Sequence, residues 1–382
     1  MEFLCEDIIP GLPDDLALRC LAKIPHGYHG ILETVCKKWR HILRSSEYSL
    51  VKSEEGYCGN WLFVSTENGF CSQWIAYDPD ANKWHPMPEL PGEVFGAIRH
   101  GFSCVSISKR FLVIGGYFQS LLSIASKFSA MNDVIKFDPF KKQWSRAASM
   151  RTARSNFACA VIGGNVYVVG GCSSSETGCL ALAEVYDPLE DRWEDIPPMP
   201  TPRWKCIGLS LKGLLYVIDG EDENHLPQCE VEIYDPVKKT WHHGHDSWLH
   251  SRPMIPPLFV LGDCILNLND RHLNYIMIRE AEVSKDATNG SWRVVGCVPK
   301  VLVHGHDREL VPFKFRVAKL GQEMYVVGGH ALKYLQLMRF QIVKLNTVRA
   351  FTIGVDKRVE WKEVAPMCLS QVSVINCGAL EE

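Results

Sequence analysis

Short apolar runs broken by glycine pairs and closed by an aromatic-Asp-Pro turn recur along most of the chain. The clearest instance opens with Phe157-Ala158-Cys159-Ala160-Val161-Ile162, turns at Gly163-Gly164-Asn165, and returns through Val166-Tyr167-Val168-Val169 to Gly170-Gly171. A polar loop follows, then Ala183-Glu184-Val185-Tyr186, the Asp187-Pro188 turn and Arg192-Trp193-Glu194. β-rich runs separated by turn residues predict antiparallel strands. The glycine pair permits backbone angles or close approaches that a Cβ would block. Asp-Pro opens a tight turn, and the Trp supplies apolar mass to pack one sheet on the next.

The same order repeats at roughly fifty-residue steps, marked by Trp84, Trp144, Trp193, Trp241, Trp292 and Trp361. The first four stand six residues after the Asp of Tyr77-Asp78-Pro79, Phe137-Asp138-Pro139, Tyr186-Asp187-Pro188 and Tyr234-Asp235-Pro236. A period of this length is the signature of a repeat architecture. Phe111-Leu112-Val113-Ile114-Gly115-Gly116 precedes the second turn, and Leu214-Leu215-Tyr216-Val217-Ile218-Asp219-Gly220 the fourth. Around Trp292 both marks are lost, leaving Cys264-Ile265-Leu266 as the expected second strand; the last unit keeps Met324-Tyr325-Val326-Val327-Gly328-Gly329 and Trp361. These units resemble the kelch repeat, over about residues 57 to 382. The resemblance implies a mainly β fold in which each repeat is one four-stranded blade of a kelch β-propeller. Six tryptophans imply six blades, with five or seven left open. The first unit begins at Trp61-Leu62-Phe63-Val64 without an inner strand before it. Gln371-Val372-Ser373-Val374-Ile375-Asn376-Cys377 is the expected C-terminal strand that closes the ring and covers the edge.

Residues 8–48 carry a different, helical pattern. Leu16, Cys20, Leu21 and Ile24 fall on one face after Asp14 or Asp15 as cap, and a second helix is expected over about Ile31 to Leu43, with Ile31, Val35, Trp39 and Ile42 or Leu43 on one stripe. So short a segment cannot bury these side chains by itself and needs another surface, such as a groove on a partner. The Leu12-Pro13 opening, Leu16, Leu21, Ile24-Pro25 and the Val35-Cys36-Lys37-Lys38-Trp39-Arg40 run resemble the F-box. An F-box followed closely by kelch repeats is similar to the plant F-box/kelch-repeat proteins. The resulting division is a small α-helical F-box at 8–48, a connection at 49–60 and the propeller at 61–382. By resemblance the F-box docks on the Skp adaptor subunit of an SCF E3 ubiquitin ligase, and through it on cullin and RING subunits, while the propeller binds the target protein. The residues expected at the adaptor are Leu12, Pro13, Leu16, Leu21, Ile24, Val35 and Trp39.

Composition narrows the alternatives. Charged residues make up 22% and apolar residues 46% of the 382, and the formal net charge is -3, so nothing favours nucleic acid or an anionic membrane. The fifteen cysteines include no Cys-x-x-Cys pair, which argues against a zinc ribbon. Neither a secretory signal nor a long apolar span is legible, so reduced thiols and a cytoplasmic or nuclear setting are expected. No catalytic, cofactor-binding or metal-binding set is assigned. Glu282 and Asp286 have the spacing of the iron site of kelch specifier proteins, but Gly290 stands where the histidine would be. His242, His243, His245 and His250 read as a solvated turn rather than a metal site. Cys104, Cys159 and Cys206 read as small buried hydrophobes. The competing classes are a specifier-type metalloenzyme and a kelch scaffold without ubiquitination.

One pattern invites a recognition reading. Arg154, Arg203 and Arg252 follow their blade tryptophans by ten, ten and eleven residues, with Arg99 a looser counterpart. Arginines there could form a ring reading polar or acidic groups of the target, or could hold neighbouring blades together. The loops at 117–131, 172–182, 221–228 and 330–338 differ while the strands repeat, which is where specificity sits on a rigid scaffold. By resemblance, some such receptors target enzymes of phenylpropanoid and flavonoid synthesis and others act in light or clock signalling, so a metabolic enzyme is one allowed target class.

Overall fold

The computed structural model describes residues 7–54, 59–69, 71–120, 127–228, 230–244, 258–262, 264–268, 275–280, 293–302, 309–335, 339–354, 356–369 and 372–381. Four helices come first: α1 (Asp14–Ala22), α2 (His29–Val35), α3 (Lys37–Leu43) and α4 (Ser46–Glu54). The stretch expected as one helix from Ile31 to Leu43 is two. Cys36 is extended, with φ -158° and ψ 167°, and its Sγ accepts the Trp39 N–H at 3.3 Å, so it ends α2 and caps α3. The cap expected from Asp14 or Asp15 is also absent: Pro13 holds that position and both acids lie in the first turn, where they suit the helix dipole. The Asp14 carboxylate instead accepts the Ile8 N–H at 2.8 Å. Leu21, Ala17, Ala22, Leu43 and Tyr48 form the core of this helical unit. Lys52, itself buried, donates to the Ala22 and Ile24 carbonyls, both at 2.7 Å, and satisfies the end of α1.

From Trp61 onward the chain forms six four-stranded antiparallel sheets. Counting outward from the inner strand, blade 2 is Ser103–Ile107, Arg110–Ile114, Val134–Asp138 and Gln143–Ala147. Blade 3 is Ala158–Ile162, Asn165–Val169, Ala183–Asp187 and Arg192–Ile196; blade 4 is Ile207–Leu211, Leu214–Ile218, Glu232–Asp235 and Thr240–His243. Blade 5 is Leu258–Leu261, Cys264–Leu268, Tyr275–Glu280 and Arg293–Cys297; blade 6 is Arg316–Leu320, Glu323–Val327, Val348–Ile353 and Val359–Glu363. Blade 1 takes its three outer strands from Trp61–Glu67, Ser72–Asp78 and Lys83–Pro86, and its inner strand, Ser373–Leu380, from the far end of the sequence. The expected closing strand is thus present, and the blade count is six.

Closure is written into the packing. Each neighbouring pair of blades shares one apolar cluster, and the sixth joins Leu62, Ile75, Tyr77 and Trp84 of blade 1 to Ala318, Tyr325 and Val327 of blade 6. The repeating tryptophans stitch the same seams. Trp144 Nε1 donates to the Pro88 carbonyl at 3.0 Å, Trp193 Nε1 to Ala148 at 2.9 Å and Trp241 Nε1 to Pro197 at 2.7 Å. Each acceptor lies four residues beyond the tryptophan of the preceding blade. Trp84 Nε1 follows the same rule across the closure, donating to Ala365 at 2.8 Å, four residues beyond Trp361. A buried indole N–H needs such a partner, so the period seen in the sequence is a period of blade-to-blade bonds. Trp292 lies outside the described residues.

The aromatic-Asp-Pro turn also has one geometry. Asp187 Oδ1 accepts the N–H groups of Leu189 and Glu190, and Asp191, left-handed at φ 49°, takes the Tyr186 hydroxyl at 2.6 Å. Asp78, Asp138 and Asp235 hold their own turns in the same way. Two stretches expected as open loops contain strands: Tyr117–Ser120 pairs with Ala97–His100, and His330–Leu335 forms a hairpin with Arg339–Lys344.

Candidate functional site

Strand alternation divides the ring into two faces. The tight turns after the first and third strand of each blade open on one face; the second-to-third loops and the links between blades open on the other. Blade 1 enters at Trp61 on the tight-turn face, which places the helical unit there. Its contacts agree: Lys109 Nζ in a tight turn of blade 2 bonds Ser53 Oγ, and Gly27 sits against Asp78 and His85 of blade 1. A Cβ at Gly27 would stand 2.6 Å from Asp78 Oδ2 and 2.7 Å from His85 Nε2, so any larger residue must push these two side-chain ends aside. Gly27→Ala is expected to loosen the seat by about 1–3 kcal/mol of overpacking, read as faster proteolytic cleavage between α4 and Trp61 with the propeller's own unfolding midpoint unchanged.

The helical unit presents two kinds of apolar residue. Leu16 is 46% exposed, Ile31 61% and Val35 58%, and Pro13 and Leu50 are exposed as well. The expected adaptor residues divide accordingly. Pro13, Leu16 and Val35 face solvent; Leu12, Ile24 and Trp39 are half-buried against the helical core. Leu21 is 1% exposed and belongs to that core, so it cannot touch a partner. Trp39 is tied down by its Nε1, which donates to the Ile8 carbonyl at 2.7 Å. Ile31 and Leu50 are exposed apolar positions that the adaptor set omitted; the stripe through Ile31 was the readable signal for the first.

On the opposite face, Arg154 and Arg203 follow the second of the two readings left open for them, holding blades together rather than reading a target. Both have no exposed surface. Arg154 donates to the Gly170 and Leu182 carbonyls at 2.8 and 2.9 Å and to Glu184 Oε1 at 2.6 Å. Arg203 donates to the Glu230 carbonyl at 2.7 Å and pairs with Glu232 at 3.5 Å. Arg99 binds the Gly115 carbonyl and Asp133 in the same manner. The carbonyls of Arg154 and Arg203 in turn meet the glycine pair of the preceding blade: Gly116 N–H donates to Arg154 O and Gly171 N–H to Arg203 O, both at 2.9 Å. Gly170, at φ 69°, would place a Cβ 2.7 Å from Arg203 O, which is why glycine recurs there. Burial lowers the Arg154 pKa, and the Glu184 hydrogen bond opposes that shift. These arginines hold blades together. Arg252 lies outside the described residues. The missed partners had a signal, since Glu184-Val185-Tyr186-Asp187 and Glu232-Ile233-Tyr234-Asp235 repeat one spacing.

Among the described residues no group of His, Cys, Asp and Glu is arranged to hold a metal ion. Glu282, Asp286, His245 and His250 fall outside them. The inner-strand thiols fit the packing reading: burial pushes Cys159 and Cys377 up to about 12 and Cys206 up to about 11. At pH 8 a thiol of pKa about 12 is on the order of one part in ten thousand thiolate. Iodoacetamide is therefore expected to label the exposed Cys20, Cys36, Cys297 and Cys368 in native protein and to spare Cys159, Cys206 and Cys377 until denaturation, as read by peptide mass spectrometry.

The KLHDC2/KLHL20/DRC7 Kelch-repeats domain family matches residues 59–251, and the F-box domain family matches residues 9–49. The F-box/kelch-repeat protein At1g16250 of Arabidopsis thaliana is 43% identical over 388 residues, covering 100% of this chain and 99% of the relative. The F-box/kelch-repeat protein SKIP30 of the same plant is 28% identical over 98% of this chain and 97% of its own length. The solved structure of YjhT superposes with a TM-score of 0.55 at 14% identity, over 79% of this chain and 97% of that one, and shows the fold alone.

Proposed function

Since the chain belongs to the F-box/kelch-repeat family, we propose that it is the substrate-recognition subunit of an SCF-type E3 ubiquitin ligase. In this reading the helical unit docks on the Skp-type adaptor through Pro13, Leu16, Ile31 and Val35, and the adaptor brings cullin and RING subunits. The face of the propeller away from the F-box holds a target protein, for which the family resemblance allows a metabolic enzyme. The chain does no covalent chemistry; it raises the effective concentration of target lysines near the ubiquitin-loaded enzyme. The cytoplasm or nucleus is the proposed place of action. The observation that carries the reading is the placement of exposed apolar F-box residues on one face of the ring and variable loops on the other, so both partners bind without competing. Co-expression of the full chain with a plant Skp-type adaptor, cullin and RING subunit tests it. A stable stoichiometric complex with ubiquitin transfer to bound protein is expected. A folded, monodisperse chain that forms no adaptor complex would sink the reading.

A further inference from the structure

Beyond the repeated glycine pair, every blade whose residues there are described pairs the third residue before its inner strand with the residue after that pair: His100 with Tyr117, Ser155 with Cys172, Trp204 with Glu221 and Phe313 with His330. Asn156 N–H donates to the Gly101 carbonyl at 2.8 Å and Lys205 N–H to Asn156 at 2.7 Å, linking blades 2, 3 and 4 at this level. The result is a rim around the channel mouth on the variable face, bonded blade to blade from 2 to 4 and with a different chemistry on each blade.

The rim is electrically lopsided. On blade 6, His330 lies opposite Lys344 in the hairpin register and opposite Phe313 in the rim bridge, and Phe313 is followed by the exposed Lys314 and Arg316. The rings of Phe313 and His330 are 5.8 Å apart at 35°. On the next blades round, His100 and Tyr117 lie 6.1 Å apart, and Tyr117 stacks on Phe128 at 4.3 Å. Arg316 and Glu67 of blade 1 act on both histidines, which places the two in one neighbourhood; burial first, and then nearby cations, lower both imidazole pKa values. The fixed charges here are Lys314, Arg316 and Lys344 against Glu67, a surplus of cations in a chain of net charge -3. Across the ring the sign reverses. Glu221, Asp222 and Glu223 of blade 4 and Glu176 of blade 3 outnumber Lys205 and Lys127, with which Glu221 and Glu176 pair at 2.9 and 2.7 Å. In a six-blade ring, blades 6 and 1 stand opposite blades 3 and 4.

We propose that the channel mouth binds an extended segment of the target protein whose anionic side chain, a carboxylate or a phosphoryl group, seats among Lys314, Arg316 and Lys344. An aromatic or aliphatic neighbour of that side chain lies on the Phe313 and His330 rings, and the segment runs toward blades 3 and 4. Charge-assisted bonds from the cations supply the specificity, the rings the contact area, and the acidic far side fixes direction by repelling a reversed segment. This rests on the substrate-receptor reading and identifies the chemistry of its target site.

The test selects from a random short-peptide display library on the full chain held in complex with its adaptor. Selected peptides are expected to share an acidic residue beside an apolar one. Glu and phosphoserine versions of one selected peptide then distinguish the two anion sources. Lys314→Glu/Arg316→Glu is expected to weaken that peptide by at least about tenfold, and the loss should shrink as salt is raised. Lys344→Glu is a second variant that spares the Arg316 bond to the Ile375 carbonyl. Peptides with no shared anion, or charge reversals that leave affinity unchanged in folded protein, overturn the proposal. No enriched peptide with adaptor binding intact also overturns it and leaves the ligase reading standing. Peptide selection by a chain that fails to bind the adaptor does the opposite.

Discussion

An Arg154→Ala chain is expected to lose about 3–5 kcal/mol of folding stability, the range for removing one partner of a buried ion pair. Arg154 has no exposed surface, and Glu184 is equally enclosed. The Glu184 carboxylate accepts the Arg151 and Thr152 N–H groups as well as the guanidinium. Removing the arginine leaves that carboxylate buried without its counter-charge and takes the donor from the Gly170 carbonyl, while Leu182 keeps only the Gly170 N–H. The nearby Arg151–Asp195 pair gives the scale: its side chains are more than half exposed, so Arg151→Ala is expected to cost at most about 1 kcal/mol. Urea denaturation of the two variants side by side measures the difference. A cost for Arg154→Ala no larger than that for Arg151→Ala would mean the clamp does not join blades 2 and 3. Arg154→Met with Glu184→Leu removes the uncompensated charge and should recover part of the loss, the Arg151 and Thr152 N–H groups losing the carboxylate that accepts them.

Leu16→Asp with Val35→Asp is expected to weaken adaptor binding by about a hundredfold or more while leaving the thermal midpoint nearly unchanged. Both side chains already face water, so the free protein loses little when they become charged. In the complex, a carboxylate would be desolvated against an apolar groove, and two such groups cost about 3 kcal/mol or more. Trp39→Asp would be a poor test, since its indole packs on the helical core and bonds Ile8; lost binding would then report unfolding. Titration calorimetry with the adaptor, beside a melting curve, separates the two. Unchanged affinity in the double variant would move the docking surface off α1 and α2.

The blade count, the closing strand and the family were legible because they rest on local chemistry repeated at a fixed spacing. An Asp-Pro turn, a glycine pair and a tryptophan each impose their own geometry on a few neighbouring residues, and six copies reveal the period even where the glycine pair and the Asp-Pro turn are both lost, as around Cys264. Helix ends were less legible: Cys36 interrupts the expected helix because its thiol caps α3, a bond that periodicity does not register. The roles of the charged residues were legible only as a choice between target-reading and blade-holding. Arg154 and Arg203 have the spacing of a binding ring, yet their guanidiniums turn inward, because the glycine pair of one blade and the Glu-x-Tyr-Asp strand of the next enclose them from both sides. Leu16 and Leu21 lie on one helix and share one pattern, yet one is open and the other sealed beneath Tyr48 and Leu43. By itself the sequence determined which units repeat, how many there are and which small helical unit precedes them, since these follow from short-range propensity and spacing. Only the tertiary structure decided which charges are buried clamps, which apolar residues stay open for a partner, and that Lys314, Arg316 and Lys344 gather at one side of the mouth. Those outcomes depend on contacts between residues far apart in the chain, and burial is a property of the assembled ring rather than of any segment of it.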